Sequence, residues 1–175
     1  MFLLNDFSGS SDTLLREEEG QVKGKIARAM ESINILQHRE PPLIAPDGAK
    51  VYVVLYVATE LAIKNLSHRL QTLRLPSWPS CQVTQVYLLN HGVQITSASE
   101  PDFDVLLNKY YDPAIMDSHL KKGGKDVIYG YAGCALPVVL AHNTPNNSIY
   151  LLWANKPNLG TCALFPRISR HREDL

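Results

Sequence analysis

If a nucleophile does chemistry in this 175-residue chain, the best placed one is Cys134. It stands in the run Tyr129-Gly130-Tyr131-Ala132-Gly133-Cys134-Ala135-Leu136-Pro137-Val138-Val139-Leu140-Ala141-His142. A cysteine that follows a glycine where a strand begins can present its sulfur and its backbone N–H together. A histidine within reach can then hold the thiolate, as attack on an amide carbonyl requires. His142 is the next histidine along the chain, but a fully extended connection would leave it ~25 Å from the thiol. His91 and His119 are the others that folding could bring near. The bland alternative is that Cys134 is a small buried hydrophobe.

The glycine-cysteine-strand pattern is similar to the catalytic strand of bacterial glutamine deamidases of the cytotoxic-necrotizing-factor kind. That resemblance implies a thiol-dependent amidohydrolase or deamidase, with Cys134 as nucleophile and a histidine such as His142 as base. In that family the base lies on the neighbouring strand. Here the neighbouring run, Ser148-Ile149-Tyr150-Leu151-Leu152-Trp153-Ala154, contains no histidine.

Other chemistries find little to stand on. There is no Gly-rich loop of the dinucleotide or P-loop type, no His-Glu-x-x-His, no Cys-x-x-Cys and no Gly-x-Ser-x-Gly. Cys81, Cys134 and Cys162 are widely separated, which fits neither a disulfide framework nor zinc spacing, and the histidines are scattered. No metal and no cofactor is expected. Seventeen basic and seventeen acidic side chains cancel, so no global field favours nucleic acid or an anionic membrane. Any such contact would be local, and Lys121, Lys122 and Lys125 form the patch best suited to phosphate or an acidic surface. The tail cations Arg167, Arg170 and Arg172 form a second, weaker patch. Trp78, Trp153 and the tyrosines are not interleaved with basic residues, so they are assigned to packing.

The elements that must position these residues follow from pattern. Residues 1 to about 12, ending in Ser8-Gly9-Ser10-Ser11-Asp12, are expected to be a flexible terminus and helix cap. Val22, Ile26, Met30 and Ile33 then recur at helical spacing within an arm over 14–37. Gly20 and Gly24 weaken that helix, so its apolar face calls for a partner surface or for the chain's own core. Pro41, Pro42 and Pro46 make the following segment a stiff connector.

Val51 to Val57 is β-branched and aromatic on both faces, as a central strand is. Thr59 or Glu60 opens a helix whose stripe is Ala62, Leu66, Leu70 and Leu73. Gln82 to Leu89 is expected as a second strand and Val93 to Thr96 as a third, joined by a turn at Asn90-His91-Gly92. A second amphipathic helix carries Phe103, Leu106, Leu107 and Tyr110 on one face, and Asp112-Pro113 ends it. The runs 127–131, 134–141, 148–154 and 161–165 are expected to form an antiparallel meander. The class is α+β: a strand-helix-strand-strand core, a second helix and a C-terminal meander, with an N-terminal helical arm. The expected division is an arm and connector over 1–48 and a single core domain over 49–175.

This order of parts resembles that of rhabdovirus matrix proteins: a mobile arm, the segment Pro41-Pro42-Leu43-Ile44-Ala45-Pro46, then strand, helix, strand and a strand-rich remainder. The resemblance implies a non-enzymatic virion protein that self-associates. With no complete catalytic constellation, the leading expectation is a structural or interaction protein that self-associates or docks on a protein partner through Val22, Ile26, Met30 and Ile33. The deamidase is the alternative. Peripheral membrane contact has no support from net charge. The reduced cysteines, the lack of a cationic flank at Met1 to Asp6, and an apolar run (Val51 to Ala58) too short to span a bilayer point to a cytoplasmic protein.

Overall fold

The computed structural model describes residues 1–44, 49–73, 78–116, 120–124, 127–155 and 162–166, leaving aside the side chains of 122 and 123. Helices and strands are both present, as the α+β class requires. The chain divides into two compact units, Met1–Asn90 and His91–Leu175. The boundary therefore lies at 90/91 and not at the expected 48/49, because the segment read as a detached arm opens with a strand of the central sheet.

That strand, β1 (Phe2–Ser8), pairs in parallel with β4 (Lys50–Thr59), which pairs in parallel with β5 (Ser80–Leu89). The sheet order is β1-β4-β5. Residues 1–8 are thus not a flexible terminus, and the Met1 ammonium donates to Lys50 O at 2.8 Å. Between β1 and β4 lie a short antiparallel hairpin, β2 (Arg16–Glu18) and β3 (Gln21–Lys23), and helix α1 (Lys25–Gln37). Helix α2 (Glu60–Thr72) crosses from β4 to β5. Long crossovers of this kind are what parallel strands need.

Ile26, Met30 and Ile33 of α1 are buried in one cluster with Leu14, Leu15, Val51, Val53, Leu55 and Leu66, and Val22 packs against it half-buried. The face expected to seek a partner is filled by the chain's own core. Helix α2 contributes Ala62 and Leu66 as buried residues, with Leu70 and Leu73 at the margin, much as the stripe predicts. The opposite face of the sheet is open, with Phe2, Leu4 and Tyr56 at 71%, 66% and 58% exposure.

In the second unit, α3 (Pro101–Tyr110) appears where expected, but only Leu107 of its apolar face is fully buried. Residues 93–96 form no strand, so β5 has no hairpin partner there. The expected meander is also absent among the described residues. Residues 113–115, 120–123 and 131–133 form 3₁₀ turns, Tyr150–Trp153 is a short helix, α4, and only isolated bridges join Leu136 to Ser148 and Leu140 to Asn143.

The reason is local. Gly130, Ala132, Gly133 and Ala135 take φ of +80°, +56°, +62° and +51°, which no strand tolerates. A Cβ on Gly130 would lie 2.4 Å from Asn147 O, so two turns meet there backbone to backbone. Tyr131 N donates to Asn146 O at 2.6 Å, Ile149 N to Leu136 O at 3.0 Å and Ser148 Oγ to Val138 O at 2.6 Å. Turn and side-chain bonds thus satisfy the backbone in place of a ladder.

Tyr150 closes this core. Its hydroxyl donates to Leu107 O at 2.8 Å and its ring meets Tyr111 edge-on at 5.4 Å. Burial, with Tyr111 adding to it, pushes the phenol from 10.0 up to about 12. A raised acid pKa means the folded state holds its proton longer, so this contribution is complete below pH 10 and is lost as pH rises towards 12. Tyr150→Phe should cost about 1 kcal/mol near neutrality, for the lost hydrogen bond. It should also remove a fall of about 1.4 kcal/mol per pH unit above pH 10. Urea titrations of both proteins at pH 8 and pH 11 check this: the gap between them must narrow at the higher pH.

Candidate functional site

In a parallel sheet, ligands collect where the carboxyl ends of the strands meet their loops. Ser8 pairs with Ala58, and Thr59 with Leu89, so the three strands end at one rim of the sheet. The run Ser8-Gly9-Ser10-Ser11-Asp12-Thr13 leaves β1 at this rim. Its small residues let the backbone turn sharply, with Ser11 at φ +68°. Leu14 N and Leu15 N both donate to Ser11 O, at 2.9 and 3.1 Å.

Helix α2 holds this loop along its length. Thr59, the N-cap of α2, accepts from Ala62 N at 2.9 Å and donates to Gly9 O at 2.6 Å. Asn65 Nδ2 donates to Ser10 O at 3.3 Å. Arg69 donates to Ser11 Oγ at 3.1 Å and Leu15 O at 2.8 Å, and pairs with Asp12 Oδ1 at 2.6 Å. Asn65 and Arg69 are four residues apart, the spacing that points side chains the same way, and Thr59 holds the loop from the N-cap.

The far side of the loop is closed by α1. Lys25 N donates to Thr13 O at 3.1 Å and Ile26 N to Leu14 O at 2.9 Å. This approach requires Gly24, at φ +122°, since a Cβ there would sit 2.4 Å from Leu14 O.

What the loop leaves unpaired is as informative as what it ties down. Among the described residues, the backbone N–H groups of Ser10, Ser11 and Thr13 meet no acceptor. Ser8 Oγ is buried with no hydrogen-bond partner. An orphaned buried hydroxyl costs about 1–3 kcal/mol, and successive amides in a tight turn make a concavity that suits an anion.

The residues singled out for thiol chemistry sit in the second unit. Cys134 is 1% exposed and its sulfur accepts from Asn147 Nδ2 at 3.3 Å. His142 is exposed and lines an open cleft of about 470 Å³ with Val139, Thr144 and Phe165. The interior setting of Cys134 is that of a packed hydrophobe. Lys121 is exposed, whereas the Lys122 side chain, Lys125, His119 and the tail cations lie outside the described residues. Among the described residues no group of His, Cys, Asp or Glu is placed to hold a metal, and no helix is long and apolar enough to cross a membrane.

The site is therefore that of a parallel sheet unit with a tightly braced loop after its first strand. A family model described as PRTase-CE matches residues 1–167, and the chain belongs to that family. The match is to neither of the two families that the sequence resembles. No curated protein matches the chain, and no solved structure does.

Sequence reasoning missed this loop because it read residues 1–12 as a free end. The available signal is the apolar run Phe2-Leu3-Leu4, followed through Asn5-Asp6-Phe7 by the five small or polar residues Ser8-Gly9-Ser10-Ser11-Asp12, the order of a strand and the loop that leaves it.

Two outcomes follow from this geometry. Arg69→Met should destabilise the first unit by about 2 kcal/mol and speed amide exchange at Ser10 to Leu15, and Arg69→Lys should not rescue it, because one ammonium cannot replace the guanidinium fork. Denaturant titration and exchange mass spectrometry read both. In timed iodoacetamide labelling of the native protein, exposed Cys162 should react promptly and Cys134 only on unfolding.

Proposed function

We infer that the chain works as a phosphoribosyltransferase-type protein, holding a phosphorylated ribose on the loop Ser8 to Thr13. The observation that carries this reading is the loop itself: unpaired amides and an orphaned Ser8 hydroxyl at the carboxyl end of a parallel strand, braced from both sides by helices. A rigid loop of donors binds phosphate without the cost of ordering itself first. The family description, read as phosphoribosyltransferase, supplies the ligand class.

The chemistry such a site serves is displacement at the ribose anomeric carbon. The bond from that carbon to the diphosphate oxygen breaks, diphosphate leaves with the electron pair, and an acceptor atom forms the new bond to the same carbon. The loop amides hold the 5-phosphate in place while the anomeric carbon reacts. Exposed Asp6, just before the loop, offers a carboxylate of the kind that accepts from ribose hydroxyls.

Calorimetry with 5-phosphoribosyl 1-diphosphate tests the reading. The chain should bind it, and ribose 5-phosphate more weakly, while ribose alone gives no heat. Thr13→Glu places a carboxylate at the exposed rim of the loop and should weaken binding by about tenfold or more through repulsion. No binding of either phosphorylated compound, or undiminished binding by the Thr13→Glu protein, overturns it.

A further inference from the structure

A phosphate bound by neutral amides still carries its charge, and the cations around this loop are mostly spent. Arg69 is paired with Asp12 at 2.6 Å, Arg16 with Glu18 at 3.0 Å and Lys23 with the same Glu18 at 3.6 Å. Lys25 is different. Among the described residues no carboxylate is in ion-pair range of its ammonium, which donates to the neutral Asn5 Oδ1 at 2.5 Å.

The placement of Lys25 is built, not incidental. Its backbone N–H is fixed to Thr13 O, at the end of the loop, and its side chain reaches back to Asn5 on β1, before the loop begins. Asn5 is 5% exposed, and its Nδ2 donates to Phe7 O, which leaves Oδ1 as the atom turned towards the lysine. A buried carbonyl oxygen satisfies one ammonium hydrogen without neutralising the charge, and a lysine carries three such donors. Lys25 itself is exposed, so the remaining donors reach solvent. Its Cα stands beside Thr13, and a flexible four-carbon stem lets the ammonium swing about 6 Å from there. Its backbone anchor at Thr13 O thus ties the lysine to the end of the loop that carries the unpaired amides.

We propose that Lys25 is the charge partner of the ligand at this loop, held ready by Asn5 and contributing to binding in proportion to the ligand's negative charge. The inference rests on the phosphoribosyl reading of the site and adds to it the residue that selects for a polyanion. Lys25 acts by binding and orientation; no bond to it is made or broken.

The test compares the full chain with Lys25→Gln and Lys25→Arg, using 5-phosphoribosyl 1-diphosphate and ribose 5-phosphate as probes in calorimetry at two salt concentrations. Lys25→Gln keeps a donor but removes the charge. It should bind the diphosphate compound at least tenfold more weakly, lose less for ribose 5-phosphate, and show a shallower salt dependence. Lys25→Arg should stay within about threefold of the unaltered chain, since it keeps the charge.

A second measurement needs no variant: acetylation of the native protein, read by peptide mass spectrometry. The diphosphate compound should protect Lys25 while exposed Lys64 and Lys109 react at their usual rates. Equal binding by Lys25→Gln, or acetylation of Lys25 that the ligand does not slow, overturns the role of Lys25 and leaves the loop reading standing. Failure of the unaltered chain to bind either compound overturns both.

Discussion

The parallel pairing of β1 with β4 is the constraint on which the first unit depends. A parallel pair cannot be closed by a tight turn, so everything from Gly9 to the connector must be carried over as a crossover. The same pairing sends both strands out at one rim and brings Thr59 to Gly9 O. A threonine that caps α2 thereby also fixes the loop from β1. Had β1 been absent or antiparallel, Arg69 would face no loop, and Leu14 and Leu15, both fully buried, would have no cluster to join.

Within that frame the polar groups divide into two sets. The carbonyls at Gly9, Ser10, Ser11, Asp12, Thr13, Leu14 and Leu15 all accept hydrogen bonds, that of Ser11 from Leu14 N and Leu15 N within the same stretch and the others from elsewhere in the unit. Several of its amides do not donate. A loop whose acceptors are used and whose donors are spare presents a positive inner surface although the whole chain is neutral. Net charge, which counts only ionised side chains, cannot register this.

What the sequence made legible was set by how local each cause is. β4, α2 and β5 each declare themselves over ten or more residues, through a β-branched run, a capped apolar stripe and an alternation. The amphipathic face of α1 was equally plain, but its destination was not, because the surface it packs on is assembled from β1, β4 and α2. β1 was missed because Asn5 and Ser8, its most buried residues, are polar, so the apolar alternation that marks a strand is interrupted where it matters. In the second unit the β-branched and aromatic content suggests a ladder, whereas the chain there forms turns, a short helix and isolated bridges. The positive φ at Ala132 and Ala135 depends on partner turns at Asn146 and Asn147, which no window of nearby residues contains. Asn5 shows the same limit at the site: its role is visible only once Lys25 and Phe7 are seen on either side of it.

The sheet is also unevenly guarded along its width. Val86, Tyr87 and Leu88 are consecutive, so they point to alternate faces, yet all three are largely exposed, at 54%, 67% and 47%. The distal half of β5 is therefore held mainly by its ladder to β4, with little side-chain cover on either side. Regions so held open at low free energy, whereas strands packed in a core open only with the whole. The unit is graded in firmness, tight where β1, α1 and α2 grip the loop and yielding at the opposite margin.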